Sequence, residues 1–309
     1  MADKIATRQS YGEVLVELGK ENSNIVVLDA DLSGSTMTKD FAKVYPDRFF
    51  NAGIAEANMY GMAAGLAVSG KTVFASTFAM FAAGRAFEII RNSIGYTKAN
   101  VKICATHAGL TVGEDGASHQ AIEDLALMRT IPGMTVLNPA DDISAKKLIR
   151  EAAEYKGPVY VRLGRYPVPV IYDDSIAIKI GKAITVREGK DYTIIATGIM
   201  VAAAMEAAQS LESEGIEVRV IDMHTLKPID KEAIIKAAKE TKGIVTAEEH
   251  TIIGGLGAAV AEVCSQAAPA KMSFVGIQDT FGESGKPAEL LEKYGLTAAH
   301  IALAVKALQ

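Results

Sequence analysis

Cysteine is scarce in this chain. There are two in 309 residues, Cys104 and Cys264, each inside an apolar stretch (VKICATH and AAVAEVCSQ). Two thiols so placed supply neither a disulfide framework nor a metal-ligand set. A basic excess is missing too. The net charge is −5, so no stripe of lysine and arginine can displace counterions, which argues against nucleic acid or an anionic membrane as partner. No apolar run reaches the length of a membrane helix, and the amino terminus (MADKIATRQSYGEVL) has no apolar signal core. Low-complexity segments and short-period repeats are absent. These absences lead us to expect a soluble, cytoplasmic protein. Apolar bulk is what the chain does have: 49% hydrophobic against 22% charged residues, over a length that suggests two domains.

Short β-rich runs alternate with helical patterns nearly throughout. NIVVLDAD, KTVFAS, VKICATH, MTVLNP and PVYVRLGR read as strands of the first half. They are continuous apolar runs rather than alternating ones, the mark of strands buried on both faces of a parallel sheet. Helical patterns lie around residues 55–69, in AMFAAGRAFEIIRNSIGY, in AIEDLALMRTI and in DDISAKKLIREAAEY. The proline- and aspartate-rich segment RYPVPVIYDDSIAIKIGKA cannot continue a central strand or a helix. We read residues 1–172 as one α/β domain, 173–190 as the connection and 191–309 as a second α/β domain. Each has a mostly parallel sheet flanked by helices. In the second, TLKPID reads as a loop between a strand and the helix KEAIIKAAKE.

A doubly wound domain invites a dinucleotide fingerprint. The nearest match, Gly255-Leu256-Gly257, has Val260 where the third glycine belongs, and close helix packing explains it better. No Walker A sequence is present.

Three stretches carry the candidate chemistry. In FFNAGIAEANMYGMAAGLAVSG, Glu56 is a lone carboxylate at the start of a helix whose small residues imply tight burial all round. With Gly53 as N-cap it falls at N3, where the helix dipole favours its charge. Burial should instead raise its pKa and make its proton available. Capping and catalysis both fit the residue. The second stretch, THAGLTVGEDGASHQ, leaves the carboxyl end of a buried strand, where open α/β sheets keep their ligands. It gathers His107, Glu114, Asp115 and His119. An ordinary polar loop, turned by Gly113 and Gly116, would look similar, but two of the chain's five histidines in one such place point to function. Zinc lacks support, for there is no cysteine pair and no His-x-x-x-His on one helix face. In the third stretch, STFAMFAAGRAFE, Phe78 and Phe81 are spaced to share one helix face, which by default is core.

In this order and spacing, GIAEANM, STFAMF and THAGLTVGEDGASHQ resemble the pyrimidine-binding domain of the transketolase family. VIDMHTLKPID and EEHTIIGGLG resemble its carboxy-terminal domain. The resemblance spans essentially the whole chain. It does not include the family's first domain, with the Gly-Asp-Gly motif that holds the metal diphosphate. It therefore implies the smaller subunit of a split transketolase. That would be a cytoplasmic transferase of the pentose phosphate pathway, active as a heterotetramer of two large and two small chains. The implied cofactor is thiamine diphosphate, with Mg2+ held by the N-terminal partner subunit. Sugar phosphates are the implied substrates, and a two-carbon ketol unit passes from a ketose phosphate to an aldose phosphate.

Residue by residue, the resemblance implies that Glu56 hydrogen-bonds N1′ of the cofactor's aminopyrimidine. Phe78 and Phe81 would pack on that ring, and Asp31 and Leu32 would line the cofactor. His107, Asp115 and His119 would contact the sugar, with His107 and His119 taking part in catalysis. Arg8, Ser35 and Arg165 would meet the phosphate end, with Arg162 close enough in sequence to compete with Arg165. A planar guanidinium pair suits a terminal phosphate. Two departures stand out. His107-Ala108-Gly109 replaces the family's usual His-Asp-Ser, and Gly84 replaces a third aromatic. They leave room for deoxyxylulose-phosphate synthase-like or branched-sugar transketolase activity, and the competing readings are the β subunit of a 2-oxo-acid dehydrogenase and a non-catalytic scaffold on the same fold.

Overall fold

The computed structural model describes residues 4–309. Its first sheet forms from the apolar runs, each too hydrophobic to tolerate a wet face. From the centre outward, Thr72–Phe78 lies between Ile25–Asp29 and Val101–Thr106, all parallel and fully buried. Val159–Arg162 and Thr135–Leu137 extend the sheet on one side and Phe49–Asn51 closes the other. Helices cover both faces. On one, Thr7–Glu21 and Asp142–Glu154 bury Tyr11, Leu15, Leu148 and Ile149 against Phe74 and Cys104. On the other lie the helix Glu56–Val68 and the segment 80–95. The helix Asp142–Glu154 starts where the sequence punctuates it, for Asp141 accepts from the Ser144 amide at 2.8 Å as N-cap.

The second sheet orders Met272–Ile277, Ile244–Thr251, Tyr192–Ala196 and Val218–Asp222 in parallel. Ile184–Arg187 then pairs antiparallel at the edge. Two expectations change here. The second sheet begins inside the segment 173–190 read as a connection, because Ile184–Arg187 supplies its edge strand. TLKPID is not only a loop: Thr225–Lys227 pairs antiparallel with Thr135–Leu137 and becomes the edge strand of the first sheet. The second half of the chain thus completes the sheet of the first half. Gly257 confirms the packing reading of its motif, since a Cβ there would stand 3.2 Å from the Phe274 ring.

The segment AMFAAGRAFEIIRNSIGY is helical but not one α-helix. Ala86 N donates to Phe81 O at 3.1 Å and Tyr96 N to Arg91 O at 2.9 Å, both across five residues. Such wide turns insert a residue into the helix and concentrate at functional sites. The helix Glu56–Val68 also departs from expectation. Met59, Tyr60 and Ala63 are fully buried, but Ala57, Asn58, Gly61, Met62 and Gly65 face outward. Its small residues therefore leave one face uncovered rather than packing on every side.

A buried ion pair of the first domain also reaches the second. The Arg162 side chain donates to both Asp124 oxygens at 2.9 and 3.1 Å, to Ala121 O at 3.2 Å and to Glu249 O at 3.0 Å. Tyr160 donates its hydroxyl to the same carboxylate at 2.7 Å. Removing one partner of a buried pair strands the other charge, at a cost of about 3–5 kcal/mol. Arg162→Met should lower the stability of the folded chain by that amount in denaturant titrations; a loss under about 1 kcal/mol would show that water or a neighbour compensates Asp124.

Candidate active site

The three central strands of the first sheet end side by side. Asp29, Ser76 and Cys104 share one register row, and Phe78 pairs with Thr106 two residues further on. Asp31, Leu32, Ser35, Phe81, His107, Asp115 and His119 follow these strand ends, while Glu56 and Arg165 follow the strands Phe49–Asn51 and Val159–Arg162, and Arg8 lies in the first turn of Thr7–Glu21.

Glu56 is 3% exposed. It is the first residue of its helix, after Ala55 as N-cap, so the capping-box position expected from Gly53 does not form. Gly53, at φ +72, turns the chain into that helix. The acid is not alone there. Arg85 Nη1 lies 3.1 Å from Oε1 and 3.2 Å from Oε2 of Glu56. The guanidinium carbon is also 4.8 Å from the Phe81 ring centroid. A planar cation therefore stacks on Phe81 while hydrogen-bonding to the buried acid. Arg85 is 55% exposed at its side chain, so it reaches this place from the surface. The wide turn through residues 80–85 directs it there, and no periodicity in the sequence announces such a turn.

The aromatic groups form one cluster. Phe78 closes a strand rather than starting a helix, and its ring stacks on Phe81 at 5.8 Å and 17°. The His107 imidazole stacks on Phe78 at 3.9 Å and 25°. His119 meets both phenyl rings edge-on, at 6.4 and 5.4 Å. The quadrupoles of phenyl rings favour such offset and edge contacts.

Cations gather on the far side of His107. Arg8 Nη1 lies 3.3 Å from His107 Nε2 and donates to the Ser35 carbonyl at 2.9 Å. Arg165 donates to Val112 O at 2.8 Å and reaches Asp115 at 3.4 Å. Burial first, then Arg8, Arg165 and His119, push the His107 pKa down to about 3. Arg8 is lowered by burial and by Arg165, and its buried Nε has no partner. Two guanidiniums and two imidazoles with one exposed carboxylate among them suit an anionic group. Arg162, by contrast, is buried and donates to Asp124, Ala121 O and Glu249 O instead. Ser35 contributes its carbonyl here, not its hydroxyl. Glu114 is exposed.

Asp31 and Leu32 sit on the loop beyond Ile25–Asp29. Asp31, at φ +64, exchanges two 3.1 Å hydrogen bonds with the Asn51 side chain, whose oxygen also accepts from the Gly53 amide at 2.9 Å. The same asparagine thus ties the Asp31 loop to the Glu56 helix. Sequence reading misses what holds this loop down. The buried Asp29 carboxylate accepts from Leu32 N at 2.6 Å, Thr36 at 2.6 Å and Thr38 at 2.9 Å. A signal for it was present in LDADL, where an acid ends an otherwise apolar strand.

Among the described residues, no three His, Cys, Asp or Glu side chains are grouped to hold a metal ion, and no helix is long and apolar enough to cross a membrane.

The chain belongs to the transketolase family. The family model of the transketolase pyrimidine-binding domain matches residues 3–169, and that of the transketolase C-terminal domain matches residues 181–301. A protein described as a transketolase C-terminal section from Methanocaldococcus jannaschii is 57% identical over 96% of this chain and 93% of its own length. A 6-deoxy-6-sulfo-D-fructose transketolase subunit from Clostridium sp. is 42% identical over 95% of this chain and 91% of its own. Human transketolase is 39% identical over 100% of this chain, which spans 50% of the human protein. A solved structure described as a split gene transketolase, inactive beta4 tetramer, superposes with a TM-score of 0.93 at 60% identity, covering 98% of each chain.

The His107 environment has a measurable consequence. A histidine pKa lowered by folding means that the unfolded chain takes up a proton the native chain refuses, so the histidine's contribution is intact above 6.5 and lost as pH falls toward 3. Long-range 1H–15N spectra at pH 5 should show a neutral His107 ring. An imidazolium pattern there would contradict the burial and the cationic surroundings.

Proposed function

We propose that this chain is the smaller subunit of a split transketolase. With a separate N-terminal subunit, it would pass a two-carbon ketol unit from a ketose phosphate to an aldose phosphate by means of thiamine diphosphate. The observation that carries this reading is the stacked cation on Glu56. A flat guanidinium that bonds to a buried carboxylate and lies over Phe81 supports a slot suited to a planar, nitrogen-bearing group. An aminopyrimidine has the same character. The residues therefore fit the cofactor.

Thiamine diphosphate, when bound, supplies the carbon-centred chemistry that breaks and remakes a carbon–carbon bond beside a carbonyl. The chain's own residues would do the rest. Glu56 would hydrogen-bond a ring nitrogen of the cofactor, which requires Arg85 to relax its grip on the carboxyl group. Phe78 and Phe81 fix the plane of the ring and keep water away. Asp31 and Leu32 border the cofactor. His107, neutral by virtue of its surroundings, can donate or accept at the substrate's oxygens, and His119 stands beside it. Asp115 contacts the sugar. Arg8, Ser35 and Arg165 take the phosphate end, where two guanidiniums match a dianion.

The diphosphate and its Mg2+ fall to the partner in this reading. Support comes from the chain's spanning half of human transketolase. It also comes from Ile54 (79% exposed), Met62 (38%) and Val68 (78%), apolar residues left outside on and before the Glu56 helix. Exposed apolar patches of this kind mark interaction sites. A cytoplasmic heterotetramer of two large and two small chains, serving the pentose phosphate pathway, is the assembly we assign. The relative from Clostridium is named for a sulfonated ketose, and a cationic pocket accepts either anion. Comparing fructose 6-phosphate with its sulfonate counterpart as donor distinguishes the two substrates.

In the reconstituted complex, Glu56→Gln should lower turnover by about 10²- to 10⁴-fold while sedimentation shows assembly intact, the scale of a lost acid–base group. Unchanged turnover would remove Glu56 from the mechanism. Calorimetry on the isolated chain should show weak uptake of thiamine diphosphate, with or without magnesium. Tight, magnesium-dependent binding by this chain alone would refute the split-subunit assignment.

A further inference from the structure

The strand Ile244–Thr251 does not finish in its own sheet. Its pairing with Met272–Ile277 is regular up to Ala247 and irregular between Ala247 and Thr251. Over that interval the strand turns to the first domain. Thr251 N donates to Ile122 O at 2.7 Å, and Arg162 donates to Glu249 O at 3.0 Å. The two acids there, Glu248 and Glu249, have different tasks. Glu248 accepts from the amides of Leu256 and Gly257 at 2.6 and 2.8 Å and so caps the next helix. Glu249 points the other way, into the loop that follows His107.

Its fit there is close. Glu249 is 4% exposed, and its Oε1 accepts from Thr111 N at 2.7 Å. Gly109, at φ +81, crosses directly over the carboxyl group: a Cβ at that position would stand 2.3–2.5 Å from Glu249 Cδ and both oxygens. Only a glycine lets the loop close on this acid. The loop carries His107, itself at φ +57, at one end. At the other it offers Val112 O, which accepts from Arg165. Both ends of the candidate substrate site therefore hang on a segment whose middle is bonded to a side chain from the other domain.

We infer that Glu249 is a positioning residue for the reaction: a carboxylate of the second domain that holds the loop from Gly109 to Val112 and, through it, His107 and Arg165. This rests on the proposed ketol transfer for its kinetic consequence. It gives the second domain a task that does not require a ligand of its own. The contacts of the Glu249 carboxyl group are with the loop, at Thr111 N and Gly109, so it acts through the loop.

The bond is strongest when Glu249 is ionised, because an amide donating to a carboxylate is a charge-assisted hydrogen bond. Burial pushes the Glu249 pKa up to about 6, with Arg162 the main group opposing it. Arg162 and Asp124 are the charged groups packed against it from the first domain, and Glu248 and His250 flank it on its own strand. Below about pH 6 the acid protonates and its hold on the loop weakens.

The test compares wild type with Glu249→Gln, whose amide oxygen keeps the acceptor and the shape but cannot ionise. In the reconstituted complex, the donor KM should rise about fivefold at pH 7.5, the scale expected when a charged acceptor becomes neutral, while kcat stays within twofold. The wild-type rise in KM between pH 7 and pH 5 should vanish in the variant. A variant with wild-type KM and an unchanged acid limb overturns the proposal. A second measurement is independent of turnover. In the free chain, the ring 15N shifts of His107 should move between pH 7 and pH 5 in wild type, by more than in Glu249→Gln. Equal movement in both overturns the proposal. A complex that transfers no ketol unit from any ketose would fail the functional reading instead, and the His107 shifts would still decide the role of Glu249.

Discussion

A buried carboxylate with a guanidinium on both oxygens is the interaction on which the rest of this structure turns. Moving Glu56 out of water without a partner would cost far more than any packing of its small-residue helix returns. Arg85 supplies the charge, and Phe81 supplies a face for that cation. The three groups come from three local causes: a helix start after Gly53, a wide turn through residues 80–85, and the carboxyl end of a fully buried strand. None of these would place an ion pair alone. Together they make a slot that is aromatic on one side and anionic at its base.

Around that slot the charges are unevenly spread: Glu56 with its Arg85 partner on one side, Arg8 and Arg165 with Asp115 on the other. The acid lies by the Glu56 helix, and the cations lie past His107. Phe78 separates the two regions, with His107 stacked on it. A substrate with an anionic tail and a reacting head is oriented by such a layout before any specific contact is made. The neutrality of His107 belongs to the same layout, since two guanidiniums and burial leave no place for a third cation. The second domain takes part by holding the loop. Its strand Thr225–Lys227 extends the first sheet, Arg162 and Asp124 lock the seam, and Glu249 reaches the loop after His107.

The sequence showed the architecture well, for a simple reason. Strands such as IVVLD and VKICAT are apolar at every position, and only a doubly covered parallel sheet accommodates that. Glu56 and His107 stood out as ionisable residues at a helix start and just past a buried strand, His119 by sharing the loop with His107, and Phe78 by its spacing from Phe81. What escaped reading depends on tertiary placement. TLKPID has the composition of a loop, yet Thr225–Lys227 is a strand because an open sheet edge lies beside it. The helix after Glu56 is small on all sides in sequence, and only the structure shows that one face is uncovered. Arg85 lies in a segment that reads as an ordinary helix; the inserted residue that turns it toward Glu56 leaves no periodic trace. Glu249 sits beside Glu248 in an EEH run, and nothing local tells which acid caps a helix and which crosses between domains.

The central claim is that the Glu56–Phe81 slot receives a flat, nitrogen-bearing heterocycle. A crystal structure of this chain with its larger partner and thiamine diphosphate tests it most directly. The account predicts a pyrimidine ring against Phe81, with a ring nitrogen at hydrogen-bond distance from a Glu56 oxygen. A complex in which Glu56 still holds Arg85 alone, with the heterocycle bound elsewhere, would contradict it.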